Sequence, residues 1–147
     1  MRPSKFFTRD QKVRILDAIR NAELNTSGEI RVHVEKLCLG EPTDRAAYLF
    51  EKLGMHRTNL RNGVLFYMSY DDHKVAILGD AGINEVVPEN FWDGTLEMIA
   101  ARFREGDFAS GLEAGIMNAG VQLKNHFPHR HDDINELPDE ISFGDKQ

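Results

Sequence analysis

The chain has 147 residues, a formal net charge of −6 and a single cysteine. This length suits one domain with one core. The negative charge argues against a nucleic-acid partner, because proteins that bind the phosphate backbone present a basic face. One cysteine excludes an internal disulfide and a thiolate zinc cage. No apolar stretch has the length of a membrane span and the N-terminus does not resemble a signal peptide, so we expect a cytoplasmic protein without membrane insertion.

Much of the acidity lies near the C-terminus. From Pro128 onward the sequence contains six acidic and two basic residues. We therefore divide the chain into one domain over residues 1–127 and an acidic tail over residues 128–147. Four apolar side chains give this tail enough hydrophobic surface to dock on the domain (Ile134, Leu137, Ile141 and Phe143).

The first predicted helix covers residues 9–23 and begins with a capping box of Thr8 and Gln11. A strand follows at residues 29–37, where apolar and polar residues alternate. Period two indicates one dry and one polar face. Because a strand buried on both faces is typically apolar throughout, we expect this strand to keep a wetter face or to lie near an edge.

A helix capped by Thr43 and ended by Gly54 separates the first strand from the second. The second strand is the short, strongly apolar run at residues 64–68. An acidic turn at residues 71–72 leads to a third strand at residues 75–78. A strand–helix–strand unit usually joins parallel strands by a right-handed crossover, so the third strand is expected to run antiparallel to the other two.

Three helical segments are predicted after this hairpin. They are a short turn at residues 82–87, a helix capped by Asn90 and ended by Gly106, and a last helix capped by Asp107 or Ser110. Together these elements predict a protein of the α/β class, a three-layer α/β/α sandwich in which helices flank a small mixed β-sheet. Three glycines in the last helix indicate close packing against its neighbours (Gly111, Gly115 and Gly120).

The predicted strand directions bring Glu29, Asn62 and Asp80 to one edge of the sheet. Carboxylate, amide and backbone oxygens are the ligands that calcium and magnesium prefer. Asp93 and Glu97, four residues apart on one helix face, could complete the shell. Alternatively, Glu29 and Asp80 cap turns or helix ends, and the pair on the helix is a solvated face.

Two arginines, Arg57 and Arg61, flank the loop into the second strand. An arginine guanidinium can bind a phosphate group through two hydrogen bonds. A metal ion beside these arginines could orient a phosphomonoester for attack by bound water. The alternative is a pair of surface arginines that partner the acidic tail. The sequence identifies no catalytic residue.

Three further clusters favour structural interpretations. A hairpin turn explains the acidic residues before His73, and a solvated segment explains the histidines near the C-terminus. Cys38 and Arg45 have the spacing C-x6-R with a proline between them, whereas a cysteine phosphatase needs C-x5-R, so we reject that activity. The histidine cluster consists of His126, His129 and His131, followed by Asp132 and Asp133.

Five short motifs occur in order along the chain. They are T-S-G-E-I-R-V-H-V at residues 26–34, R-N-G-V-L-F-Y at 61–67, I-L-G-D-A-G-I at 77–83, F-R-E-G-D-F-A-S-G-L at 103–112 and N-E-L-P-D-E at 135–140. Together they resemble the TPM domain, in particular its short, soluble bacterial branch. The resemblance implies an α/β/α sandwich and a divalent-cation site, usually for calcium, near the strand ends. A plant relative has been assigned acid phosphatase activity, and an animal relative modulates a receptor.

Three functional hypotheses follow. The first is a small TPM-domain protein that binds Ca²⁺ or Mg²⁺ as a cofactor. The second is a metal-dependent phosphatase that acts on phosphomonoesters and uses Arg57 and Arg61. The third is an interaction module whose N-E-L-P-D-E segment docks on a protein partner. The cation ligands of the first hypothesis are Asp80, Glu29, Asn62, Asp93 and Glu97.

Overall fold

A computed structural model describes residues 1–129, 136–137 and 141–145. Within these ranges the chain forms six helices and four strands. In chain order they are α1 (Pro3–Phe6), α2 (Arg9–Glu23), β1 (Glu29–Glu35), α3 (Pro42–Lys52), β2 (Gly63–Ser69), β3 (Lys74–Gly79), α4 (Ala81–Asn84), α5 (Asp93–Arg104), α6 (Phe108–Leu123) and β4 (Ile141–Phe143).

The four strands form one mixed sheet in the order β3-β2-β1-β4. β1 is parallel to β2 and to β4, whereas β3 is antiparallel to β2. These directions are the ones that the strand–helix–strand pattern and the hairpin predict. The register places Glu29 opposite Gly63, and Val64 opposite Gly79.

The position of β1 corrects the expectation of an edge strand or a wetter face. β1 lies between β2 and β4, and all seven of its residues are buried. Its second neighbour, β4, is a three-residue strand from the C-terminal part of the chain, which pairs Ile141 with Val32 and Phe143 with Val34. The alternation in β1 is real, but its polar face is buried.

Helices cover both faces of the sheet, which confirms the predicted sandwich. On one face α2, α5 and α6 enclose the larger core, to which β1 and β2 contribute Val32 and Phe66. On the other face α3 supplies Leu49 and Phe50 to a smaller core. None of the helices in the described ranges has the length and apolar character needed to cross a bilayer.

The helix ends follow the predicted signals in part. Thr8 and Gln11 form the complete capping box of α2. However, α5 begins at Asp93 after Trp92, which makes no side-chain capping bond, so the prediction of an Asn90 cap is wrong. α3 begins at Pro42, before the predicted cap residue, and its first turn uses the fixed φ of proline instead.

The glycines of α6 permit the close packing that the sequence indicates. A Cβ on Gly115 would lie 2.5 Å from Ile99 of α5, and a Cβ on Gly120 would lie 2.8 Å from the Cβ of Ala22 in α2. Both separations are far below van der Waals contact, so these positions exclude larger side chains unless the helices separate.

Gly82, at the start of α4, lies even closer to its neighbours, and we expect Gly82→Ala to lower the free energy of unfolding. An added Cβ would lie 2.0 Å from the carbonyl oxygen of Leu60 and 2.7 Å from that of Arg61. Overpacking of this kind costs about 1–3 kcal/mol. Urea denaturation would measure the loss.

Gly94 is the matched control, because an added Cβ there meets no atom within 4 Å. Gly94→Ala in α5 should leave stability unchanged or raise it by up to about 1 kcal/mol. Equal losses from the two substitutions would contradict the close approach at α4.

Candidate functional site

Three polar residues lie together at the end of the sheet where β1 and β2 begin and β3 ends, which is called the edge below. The Glu29 amide donates to the carbonyl of Asn62 at 3.2 Å, and the Asp80 amide donates to the carbonyl of Gly63 at 3.0 Å. Glu29, Asn62 and Asp80 are all buried. Strand direction therefore places these residues at one edge, although they are distant in sequence.

Asp80 has two roles at this edge. Its carboxylate accepts from Nε and Nη2 of Arg61 at 2.7 and 2.8 Å, in a bidentate ion pair. The same carboxylate accepts from the Ala81 amide at 2.7 Å and so caps α4. The alternative prediction that Asp80 caps a helix end is therefore confirmed, and the same carboxylate also pairs with Arg61.

The other two predicted ligands also have protein partners. Oε1 of Glu29 accepts from the Leu137 amide at 2.6 Å. The Asn62 side-chain amide donates to Oγ of Ser27 at 3.4 Å. These bonds connect the edge to the α2–β1 loop and to the C-terminal part of the chain.

The α5 carboxylates and the second arginine lie on the surface. Asp93, Glu97 and Arg57 are exposed, and Glu97 accepts from Arg104 at 3.0 Å. Across the described part of the chain, no three His, Cys, Asp or Glu residues are grouped so that they could hold a metal ion. As arranged, the edge is not a preformed cation cage, and a cation that reached Asp80 would have to replace Arg61.

Arg61 has an unusual backbone conformation and an exposed side chain. Its backbone has φ = +50°, in the left-handed region that non-glycine residues rarely adopt. Its side chain is 49% exposed, whereas that of Asp80 is 6% exposed. The guanidinium therefore covers a buried carboxylate from the solvent side.

A buried polar cluster at the opposite end of β1 was missed by sequence reasoning. Glu35 accepts from Nε and Nη2 of Arg45 at 2.9 and 2.6 Å, and from the Tyr67 hydroxyl at 2.7 Å. Nε2 of His33 lies 3.3 Å from Glu35, and Nδ1 lies 2.6 Å from the hydroxyl of Ser142 in β4. The signal for it in the sequence is the polar alternation in β1, a pattern that strands with a solvent-exposed face share.

The partners of Glu35 keep it ionised. Burial raises its pKa, but hydrogen bonds from His33, Arg45 and Tyr67 outweigh burial and lower the pKa to about 2. Burial and the neighbouring carboxylate raise the pKa of Tyr67, so its phenol remains a neutral donor. The cluster is therefore an ionised carboxylate surrounded by donors from β1, β2 and α3.

The sequence model of the TPM domain matches residues 1–122. The chain belongs to the TPM domain family. A search of curated proteins finds no match. Among solved structures, the chain is similar to the BA42 protein from the psychrophilic bacterium Bizionia argentinensis, with 48% identity, a TM-score of 0.88, and coverage of 94% of this chain and 95% of that one.

Two more distant structures share the fold. One is the N-terminal domain of a P. gingivalis protein, with 19% identity, a TM-score of 0.70, and coverage of 87% of this chain and 83% of that one. The other is the N-terminal domain of the cg2496 protein from Corynebacterium glutamicum, with 11% identity, a TM-score of 0.63, and coverage of 92% and 80%. The TPM fold is therefore retained where sequence identity is low.

The remaining clusters of this TPM domain have structural explanations where they are described. Residues 70–73 form the hairpin turn, in which Asp72 accepts from the Cys38 amide at 3.0 Å. Nδ1 of His129 lies 3.1 Å from the carbonyl of Glu23. His131, Asp132 and Asp133 fall outside the described residues.

We expect Glu35→Gln to change how the stability of the domain depends on pH. The folded-state pKa of Glu35 lies below its ordinary value of 4.5, so its ionisation stabilises the fold fully above about pH 4.5. This contribution is lost as pH falls towards 2. At pH 7 the variant should be about 1.5–3 kcal/mol less stable, because it loses charge-assisted hydrogen bonds.

Urea denaturation between pH 7 and pH 2 measures this effect, and the two curves should converge at the acidic end. Glu113→Gln is the control, because Glu113 pairs with Arg14 on the surface at 3.0 Å. Such pairs contribute up to about 1 kcal/mol. A constant gap between wild type and Glu35→Gln at all pH values would contradict an ionised buried Glu35.

Proposed function

We propose that this TPM-domain protein binds a divalent cation, Ca²⁺ or Mg²⁺, at the edge of the sheet where Asp80, Glu29 and Asn62 meet. The observation that carries the proposal is the Asp80 carboxylate, which is buried but covered by a half-exposed guanidinium. The cation would take the place of Arg61. The proposal concerns binding and assigns no reaction.

Charge balance supports this exchange. A buried carboxylate is costly unless a positive group accompanies it, and Arg61 fills that role in the described structure. A hard cation satisfies the same requirement and prefers oxygen ligands. Glu29 and Asn62, which lie at the same edge, would add carboxylate and amide oxygens.

Asp93 and Glu97 of α5 complete the proposed ligand set. Both are exposed, and Glu97 would have to release Arg104 before it could turn to the cation. Their participation is therefore a weaker element of the proposal than that of Asp80.

A cytoplasmic location without a nucleic-acid partner belongs to the same proposal. The net charge of −6 disfavours contact with phosphate backbones. The free, buried Cys38 is typical of a reducing compartment.

The interaction-module alternative concerns the C-terminal part of the chain. Ile141–Phe143 already forms β4, and Asp145 accepts from the Ser4 amide at 2.8 Å. A partner that docked on this strand would compete with β1. Deletion of residues 135–147 should remove binding of such a partner. Because the deletion also removes β4 and the Ser142 hydroxyl beside His33, circular dichroism of the truncated protein must accompany the binding measurement.

We expect calcium added to ¹⁵N-labelled protein to shift the amide resonances of residues near Asp80, and Asp80→Asn to abolish these shifts. Asparagine still caps a helix, so the substitution removes charge and retains the cap of α4. Arg61→Gln should tighten calcium binding about tenfold, because it removes a charge-assisted competitor.

Asp107→Asn is the matched control, because Asp107 caps α6 as Asp80 caps α4. This variant should bind calcium as the wild type does. The cation proposal fails if no amide shifts in wild-type protein. Weaker binding by Arg61→Gln would contradict the competition between Arg61 and the cation.

The phosphatase alternative predicts turnover of an aryl phosphate that depends on both added metal and Asp80. Arg57 and Arg61 are the exposed cations beside this edge that could contact the phosphate. Activity should disappear in Asp80→Asn and persist in Asp107→Asn. Unchanged activity in Asp80→Asn would indicate a contaminating enzyme.

A further inference from the structure

A groove of about 810 Å³ opens at the end of the sheet opposite Asp80. Its lining includes residues 36–41, which follow β1, and Asp71, which follows β2. Asp44 and Arg45 of α3 form the remaining wall. The groove therefore lies at the carboxyl ends of parallel strands, where open α/β sheets bind their ligands.

The loop that lines the groove is fixed by the hairpin turn and by the first residue of β3. Nζ of Lys74 donates to the carbonyls of Cys38 and Gly40 at 2.9 and 3.0 Å. Asp72 accepts from the Cys38 amide at 3.0 Å. These bonds hold the loop in shape without a ligand, which lowers the entropic cost of binding.

Arg45 presents an oriented guanidinium to the groove. Its Nε and Nη2 bind Glu35, whose side chain is 1% exposed, while the Arg45 side chain is 37% exposed. Nη1 has no hydrogen-bond acceptor within the described ranges. The outer edge of the guanidinium, formed by Nη1 and Nη2, can therefore donate to a carboxylate in the bidentate geometry that arginine favours.

The rest of the lining adds apolar and acidic character. Leu39 is 93% exposed and Leu37 is 43% exposed. These exposed side chains offer apolar surface on which an apolar group of a ligand can pack. Glu41 and Asp44 form no ion pair with any residue that the structure describes. A complementary ligand therefore carries an apolar group and a positive charge in addition to a carboxylate.

We propose that this groove binds the carboxyl-terminal segment of a peptide. The terminal carboxylate contacts Arg45, an apolar side chain near the terminus packs on Leu37 and Leu39, and a basic side chain faces the groove acids. A fatty acid offers the carboxylate and the apolar chain but lacks the positive charge. The proposal is independent of the cation site, which lies at the other end of the sheet.

Titration of ¹⁵N-labelled full-length protein with three probes tests the proposal. The probes are the peptide acetyl-Lys-Lys-Ala-Leu with a free carboxylate, the same peptide with a terminal amide, and octanoate. The free-acid peptide should shift the amides of residues 36–45. The affinity of the amidated peptide should be lower by about tenfold or more, because the amide loses a charge-assisted contact.

Three outcomes would overturn the proposal. They are the absence of shifts at residues 36–45, equal affinity for the acid and the amide, and octanoate binding as tight as that of the peptide. The first outcome would show that the groove does not bind the peptide, and the second that the terminal carboxylate is not recognised. The third would show that the ligand needs no basic side chain.

Two variants test the assigned residues. Arg45→Lys keeps a positive charge beside Glu35 but loses the fork, and should weaken binding of the free-acid peptide about tenfold. Arg14→Lys, at a surface arginine paired with Glu113, should leave binding unchanged.

Leu39→Ser should weaken binding severalfold without affecting the fold, since the side chain is almost fully exposed. This variant keeps the proposal testable if Arg45→Lys fails to fold, and unchanged affinity would contradict the apolar contact. Asp80→Asn should retain full peptide binding, so failure of the cation proposal is distinguishable from failure at the groove.

Discussion

The ionised carboxylate of Glu35 is the constraint on which the second face of the sheet depends. α3 covers that face mainly over β2 and β3, and β1 fills the remaining space with polar side chains. A buried charge is tolerated only when donors surround it. Arg45, Tyr67 and His33 provide these donors, and His33 extends the cluster to β4 through Ser142. One carboxylate therefore joins four elements of the fold.

The two ends of the sheet share an arginine–carboxylate pair, but the two pairs differ in their surroundings. At each end a half-exposed arginine covers a buried carboxylate, Arg61 over Asp80 and Arg45 over Glu35. Arg61 has a left-handed backbone, and the Asp80 carboxylate that it covers also caps α4. Glu35 relies on donors from two strands as well as on Arg45 of α3, so Arg45 is one member of a larger set of fixed donors.

Local signals predicted much of the fold but not the environment of β1. Capping residues, turn glycines and apolar runs predicted most of the helices and strands, because these features act over a few residues, and the strand–helix–strand order with the hairpin predicted the strand directions. The polar alternation around His33 has the same appearance in a solvated strand and in a buried network. What distinguishes them is β4, a three-residue strand contributed by Ile141–Phe143, and so short a segment carries almost no periodic signal.

Strand topology also explains why the sequence pointed to one candidate site and missed the other. The β1–α3–β2 crossover places the first turn of α3 at the carboxyl end of β1, so Arg45 reaches back to Glu35. The C-x6-R spacing excluded one phosphatase chemistry for Cys38 and Arg45, yet the crossover still brings both residues to the same groove. Spacing rules test whether a single loop can encircle a ligand, whereas strand ends bring together residues from separate loops. In a sheet of this kind, the ends of parallel strands therefore bring together candidate site residues that sequence spacing alone does not connect.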